Sequence, residues 1–302
     1  MVNAAASGKL KRRDNSARRR FSDRLATAAL WAAALSVVAL LAFFVGYIFY
    51  LGAGAISWHF LTAPPSETDA GGGIGPEIYN SFYILVLTLV ITTPIAMAGG
   101  IYLQEYARPG RFTSVVQFCA ESLATIPSIV MGLFGLILFV NLLGWKFTAL
   151  GGALTLTLLN LPALMRVTQE ALQNIPQSYR EGSMAIGATK WQTIRKVVLP
   201  SAIPALTTGV VLIAGRIFGE TAALIYTAGV SVSAGKSAFD LNPFHSAETL
   251  SVHLWYTHSE SLVPDATAIG NGSALVLLAM VLLFNIFARI VGGVLSKRLT
   301  GK

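Results

Sequence analysis

Arg216 and Glu220 stand four residues apart inside the apolar run 202–228. On a helix that spacing puts both side chains on one face. A charge near the middle of a membrane costs about 3 kcal/mol even on gentle scales. The pair survives there either by mutual pairing that orders the surrounding helices or by lining a polar path. In the second reading Arg216 meets a passing anion, because the planar guanidinium matches oxyanion geometry and stays charged at any working pH. Glu220 then holds Arg216 in place and moderates its grip, since a path that bound its cargo tightly would trap it. Arg166 and Glu170 repeat the spacing at the end of the run 148–165. Snorkelling into headgroups is the plain alternative there. Glu121 reads as a structural partner for a base, and Arg289 as a snorkelling residue.

Other chemistry is sparse. The stretch GVSVSAGKS (229–237) looks like a phosphate-cradling loop, but its glycines stand one residue too far apart for G-x4-G-K-S. His245, His253 and His258 lack zincin spacing and accompanying cysteines, and read as exposed loop residues. No serine sits in a nucleophile-elbow context and no paired carboxylates point to acid–base work. The expectation is a chain that is not an enzyme by itself, with no metal and no cofactor. The single cysteine, Cys119, excludes an intramolecular disulfide.

The elements that position these charges follow from composition. Of the 302 residues 54% are apolar and 12% charged, and mean hydropathy is +0.63. Soluble chains carry about 25% charged residues. Six apolar runs, 25–52, 79–103, 118–143, 148–165, 202–228 and 273–295, are long enough to cross a bilayer. Backbone in lipid must satisfy its own hydrogen bonds, and the runs lack the alternation of barrel strands. The fold class is therefore an all-α polytopic membrane protein with six transmembrane helices. The first run follows a basic leader and precedes Ala53-Gly54-Ala55, yet it is too long for a cleaved signal.

Charge sets the orientation. With the N-terminus inside, eighteen Lys and Arg fall on the inner side and two, Lys146 and Lys236, on the outer side. Seven acids from Glu67 to Asp265 also fall outside. Both termini are thus predicted to be cytoplasmic in a plasma membrane. The net charge of +8 marks inner loops and lipid headgroups as its partners, not nucleic acid. The predicted organisation is a basic tail (1–24), a first helix (25–52), a Pro/Gly-rich outer linker (53–78), a permeating core (79–295) and a short inner end (296–302). Pro94, Pro127, Pro162 and Pro204 interrupt four core helices, as in pathways with bent walls. The outer loop 229–272 is rich in polar and aromatic residues.

One polar segment, REGSMAIGATKWQTIRKVVLP (180–200), interrupts this apolar chain. Its beginning suits a short helix, Gly187 a turn, and Pro200 the first turn of the next helix. Tyr179, Met184 and Ile186 give that short helix apolar contact surface, while Arg180 and Glu181 stay polar. Glu181, Gly187 and Leu199-Pro200 fit the spacing E-A-A-x3-G-x9-I-x-L-P, with Gly182, Ser183 and Val197 as small or aliphatic departures. The segment thereby resembles the coupling region of permease subunits of binding-protein-dependent ABC importers, with a MetI-like core. The stretches 102–113, 121–136, 161–172 and 213–227 are similar to phosphate-importer permeases, of the PstA type more than the PstC type.

The resemblance implies a separate cytoplasmic ATPase homodimer that grips the segment through Arg180, Glu181, Gly187, Leu199 and Pro200. It further implies a homologous PstC-like second permease and an extracytoplasmic phosphate-binding protein. Arg216, Glu220, Arg166 and Glu170 would then line the path. Sulfate, molybdate or phosphonate would suit Arg216 equally well, and a secondary transporter would explain the spans without an ATPase.

Overall fold

Proline, glycine and the uneven distribution of apolar residues decide where each helix begins and ends. The computed structural model describes residues 16–66, 68–230 and 239–300. Most of the basic tail, Glu67, Lys236 and all but two residues of the GVSVSAGKS stretch lie outside them. The chain divides into two units, Met1–Tyr50 and Leu51–Lys302. The first unit is built from α1 (Ser16–Gly52), whose residues from Phe21 to Tyr47 are all exposed.

In the second unit the regular structure among the described residues is helical, with no strand. Its helices are α2 (Trp58–Thr62), α3 (Gly75–Ile101), α4 (Arg111–Ala124), α5 (Ser128–Gly135), α6 (Ala149–Gln173), α7 (Gln177–Ala185), α8 (Lys190–Thr193), α9 (Leu199–Phe218), α10 (Ala222–Ile225), α11 (Leu250–Ser259) and α12 (Ala266–Thr300). Five helical stretches are long and apolar enough to cross a membrane, or six if one bent pair counts as a span.

The bent pair corrects the run 118–143. That run is no single straight helix, because α4 and the helix beginning at α5 meet at 101°. Pro127 has no N–H to continue a helix and forces Ile126 out of helical geometry, so the chain restarts at Ser128. The run 202–228 is corrected likewise. Its helix ends at Phe218, and the chain breaks over Gly219–Thr221 before the one-turn α10.

The predicted linker 53–78 is also more structured than its composition implies. Ser57 caps α2 by accepting the Phe60 N–H at 3.0 Å. Ile74 donates to Phe60 O and Gly75 to Ala63 O, which folds the linker back on itself and buries Phe60 and Ile74. The outer loop is held too: Tyr83 donates to Leu241 O at 2.8 Å, and Asn80 to Glu248 O at 3.1 Å.

The centre of the second unit is the pair α3 and α6. Gly100 makes their close approach possible, since a Cβ there would lie 2.6 Å from Thr168 Cβ and 2.8 Å from Met165 O. Small residues let helices meet where lipid supplies no hydrophobic drive between them. Thr92 donates to Thr157 across the same interface at 3.0 Å. Leu85, Leu156, Leu159 and Leu164 fill the remaining space.

Candidate functional site

The segment 177–200 begins where Pro176 starts α7 and ends where Pro200 enters the first turn of α9. Gly187 has φ +88°, a conformation that side chains with a Cβ rarely adopt, and it turns the chain out of α7. Thr189 then starts α8 with a capping box: its hydroxyl accepts the Gln192 N–H while Gln192 Oε1 accepts the Thr189 N–H. A π-helical stretch, Ile194–Val198, joins α8 to α9. Such a stretch accommodates the missing Pro200 donor without breaking the helix. Ser183 and Thr193 lie 2.9 Å apart and tie the two arms together. The predicted helix–turn–ramp is thus present.

Arg180, expected among the residues the ATPase grips, turns inward in the fold. Its Nη2 donates to Glu105 Oε1 at 2.7 Å and to Leu172 O at 2.9 Å, and its Nη1 to Ile175 O at 2.8 Å. The two side chains are 12% and 7% exposed. Lys190 adds a bond to Glu105 O and sits 4.9 Å from the Tyr106 ring centroid. Arg180 is therefore an anchor that fastens α7 to the end of α3, where a π-helical turn, Tyr102–Tyr106, carries Glu105. The rest of α7 is open: Tyr179, Glu181 and Met184 are exposed, and so is Ile186 at its C-terminal end, to 87%. Leu199 is half-buried and packs against the small core of Leu172, Val198 and Leu206.

Glu105 was missed in the sequence. It sits in YLQEYARPG (102–110) three residues before Arg108, and its partner is 75 residues away. Nothing local marks it.

Arg166 and Glu170 do pair, at 3.1 Å, with side chains 69% and 60% exposed. Pairing at that exposure contributes well under 1 kcal/mol, so stability does not explain the two charges. They face an open cavity of about 530 Å³ shared with Glu121, Gln104, Gln117 and Gln169. Arg216 and Glu220 do not pair, and among the described residues no ion pair includes either. The helix stops between them, so the i, i+4 geometry never forms. Arg216 is exposed in the last turn of α9, where the carbonyl end of a helix favours a cation. Glu220 Oε1 accepts the Ala223 N–H at 3.4 Å and caps α10.

The histidines also depart from expectation. His258 is exposed, but His245 pairs with Asp240 and His253 is only 6% exposed, bonded to Glu248 at 3.1 Å. Burial opposes protonation of His253, yet the bond to Glu248 and the charges of Glu248 and Glu77 outweigh it and raise the imidazole pKa.

Comparison with known proteins places this geometry. Residues 94–301 match the family described as binding-protein-dependent transport system inner membrane component. A probable ABC transporter permease protein, YqgI of Bacillus subtilis, is 42% identical over 93% of this chain and 99% of its own. A phosphate transport system permease protein PstA of Mycobacterium leprae is 32% identical over 75% of this chain and 76% of its own. Among solved structures, a bacterial alginate ABC transporter aligns over 94% of this chain and 99% of its own, with TM-score 0.67 at 17% identity. The MetNI methionine transporter aligns over 74% and 94%, with TM-score 0.54 at 21% identity. Those two likenesses establish the MetI-type fold. The chain belongs to the binding-protein-dependent transport system inner membrane component family and is a multi-pass permease subunit of an ABC importer.

Proposed function

We propose that this subunit forms half of a transmembrane path for inorganic phosphate and is driven by a cytoplasmic ATPase homodimer docked on α7. The observation that carries the reading is the two-sided character of α7. Arg180 locks one side to Glu105 at the end of α3, while Tyr179 and Ile186 stand exposed on another side. Such a helix is a handle: apolar side chains for a partner groove on one side, a stiff ionic link to the bundle on the other. Force applied to α7 reaches α3 without passing through a flexible loop.

The remaining parts follow from that arrangement. A homologous PstC-like subunit supplies the other half of the path, and an external phosphate-binding protein delivers cargo. Both termini lie in the cytoplasm, on the same side as α7. Arg166, Glu170 and the glutamines around them form the polar wall near the inner end, and Arg216 offers an exposed guanidinium further along. Guanidinium recognises phosphate by paired hydrogen bonds. The preference for phosphate over sulfate or molybdate rests on the PstA-named relatives.

The test is reconstitution with co-purified partners in liposomes. The expected result is ATP-dependent uptake of labelled phosphate, unaffected by excess sulfate or molybdate. Uptake by this chain alone without nucleotide would refute the ATPase reading. ATP-driven uptake of sulfate or molybdate in place of phosphate would refute the substrate.

A further inference from the structure

At the end of α3 opposite the α7 handle, three ionisable side chains converge. Glu77 stands in the first turn of α3, Glu248 just before α11, and His253 in the first turn of α11. All are buried, at 0%, 3% and 6% exposure. One ligand-capable atom from each lies within 4.8 Å of the other two. Neither carboxylate oxygen of Glu77 has a hydrogen-bond partner among the described residues, and neither does His253 Nε2. Among the described residues, the charges that raise the His253 pKa are those of the two carboxylates. Folds avoid burying a carboxylate without hydrogen bonds unless a counter-charge or metal meets it.

The backbone around the cluster is firmly held. Ser81 donates to Glu77 O at 2.7 Å and accepts the Leu250 N–H at 2.9 Å. Asn80 donates to Glu248 O at 3.1 Å. Ser251 donates to Glu220 O at 2.9 Å, so the α9–α10 break is tied to the same stretch of chain. A rigid surround thus keeps the three ligand atoms within 4.8 Å of one another, as supporting contacts do around metal ligands.

We propose that Glu77, Glu248 and His253 bind one first-row divalent transition cation of the zinc type. Two carboxylate oxygens and one imidazole nitrogen make a three-ligand set that leaves a position for water. Calcium and magnesium prefer all-oxygen shells with more ligands. A dication supplies the orphaned Glu77 oxygens with a partner and a counter-charge. It staples α3 to α11 and, through Ser251, fixes the α9–α10 break. The competing occupant is a proton shared within the carboxylates, and it makes opposite predictions.

The experiment uses the full chain with its co-purified partners in nanodiscs, stripped by chelator and titrated with Co²⁺. The expected result is one equivalent bound with a visible d–d band, bleached by Zn²⁺, and a metal-dependent rise in the unfolding midpoint. Glu77→Gln and His253→Gln should each weaken binding by more than about 100-fold, beyond the loss from removing a mere supporting partner. Assembly on sizing columns shows that each variant has folded. Spin-echo spectroscopy of the native chain loaded with Cu²⁺ gives a readout that needs no variant: one imidazole nitrogen is expected. No stoichiometric cation, equal binding by Glu77→Gln, or no imidazole nitrogen would overturn the proposal. A chelator-insensitive native chain that Glu77→Gln stabilises would overturn it in favour of the proton.

Discussion

Replacing Glu105 with Gln tests the link between α7 and α3 directly. In the native chain the guanidinium of Arg180 is shared between the Glu105 carboxylate, at 2.7 Å and 3.2 Å, and two main-chain carbonyls. Breaking a buried ion pair from one side costs about 3–5 kcal/mol when the remaining charge is stranded. Arg180 is not wholly stranded by Glu105→Gln, because the amide oxygen still accepts and the carbonyls of Leu172 and Ile175 remain. The expected cost is therefore about 2 kcal/mol, the scale of one charged hydrogen bond. At 1.4 kcal/mol per decade this is about a 30-fold increase in the opening of α7 from the bundle. Hydrogen exchange of residues 177–187 in the nanodisc complex reads that quantity, with residues 149–173 as the internal control. Coupling should fall with it: ATP is still hydrolysed, but less solute enters per ATP. Replacing both partners with apolar residues, Arg180→Met with Glu105→Leu, removes the stranded charge and should restore most of the protection. Exchange in Glu105→Gln within about threefold of native would refute the reasoning, since the pair would then carry no mechanical load.

Three further outcomes are expected. Gly187→Val forces a β-branched residue into φ +88°, costing about 1–3 kcal/mol at the turn, and should reduce ATPase co-purification while membrane insertion remains normal. Gly100→Val places atoms within 2.6 Å of Thr168 and should lower the unfolding midpoint of the whole second unit, an overpacking cost of about 1–3 kcal/mol read by thermal denaturation. Arg216→Gln should abolish uptake without loss of assembly, and full transport by that variant would return Arg216 to a helix-capping role.

Four of the six spans, the α7–turn–ramp and the family were legible because they rest on local signals. Apolar run length, Gly187 and the Leu199-Pro200 step each act within a few residues of themselves. What escaped notice was set by distance in the chain. Arg180 reads as a docking residue on its own helix, and only the fold reveals that Glu105, 75 residues earlier, draws it inward. Arg216 and Glu220 have the right spacing for a helical pair, but spacing assumes an unbroken helix, and the chain turns at Gly219. His253 looked like an exposed loop residue because its segment is polar. Burial came from α11 packing on α3 and α12, which no window around residue 253 contains. Pro127 is a local signal for an interruption, but its 101° angle is set by the packing of the two arms and not by the proline alone.

Both ends of α3 now carry an acid tied to another element, and this bears on how motion crosses the membrane. Glu105 is gripped by Arg180 of the handle, and Glu77 joins Glu248 and His253 at the far end. The two acids are 28 positions apart, about 42 Å along a helix, enough to cross a bilayer. Alone α3 would be a poor strut, because Pro94 removes one of its ladder bonds. Its stiffness comes from α6, which contacts it on both sides of that proline, through Thr92–Thr157 before it and Gly100–Thr168 after it. Pro162, the corresponding weakness in α6, lies between the same two contacts. Each helix thus splints the other across its weak point. On the proposed coupling, a displacement of α7 would be delivered to the α3–α6 pair as a whole, and at the other end it would meet the Glu77 cluster and, through Ser251, the turn that ends α9.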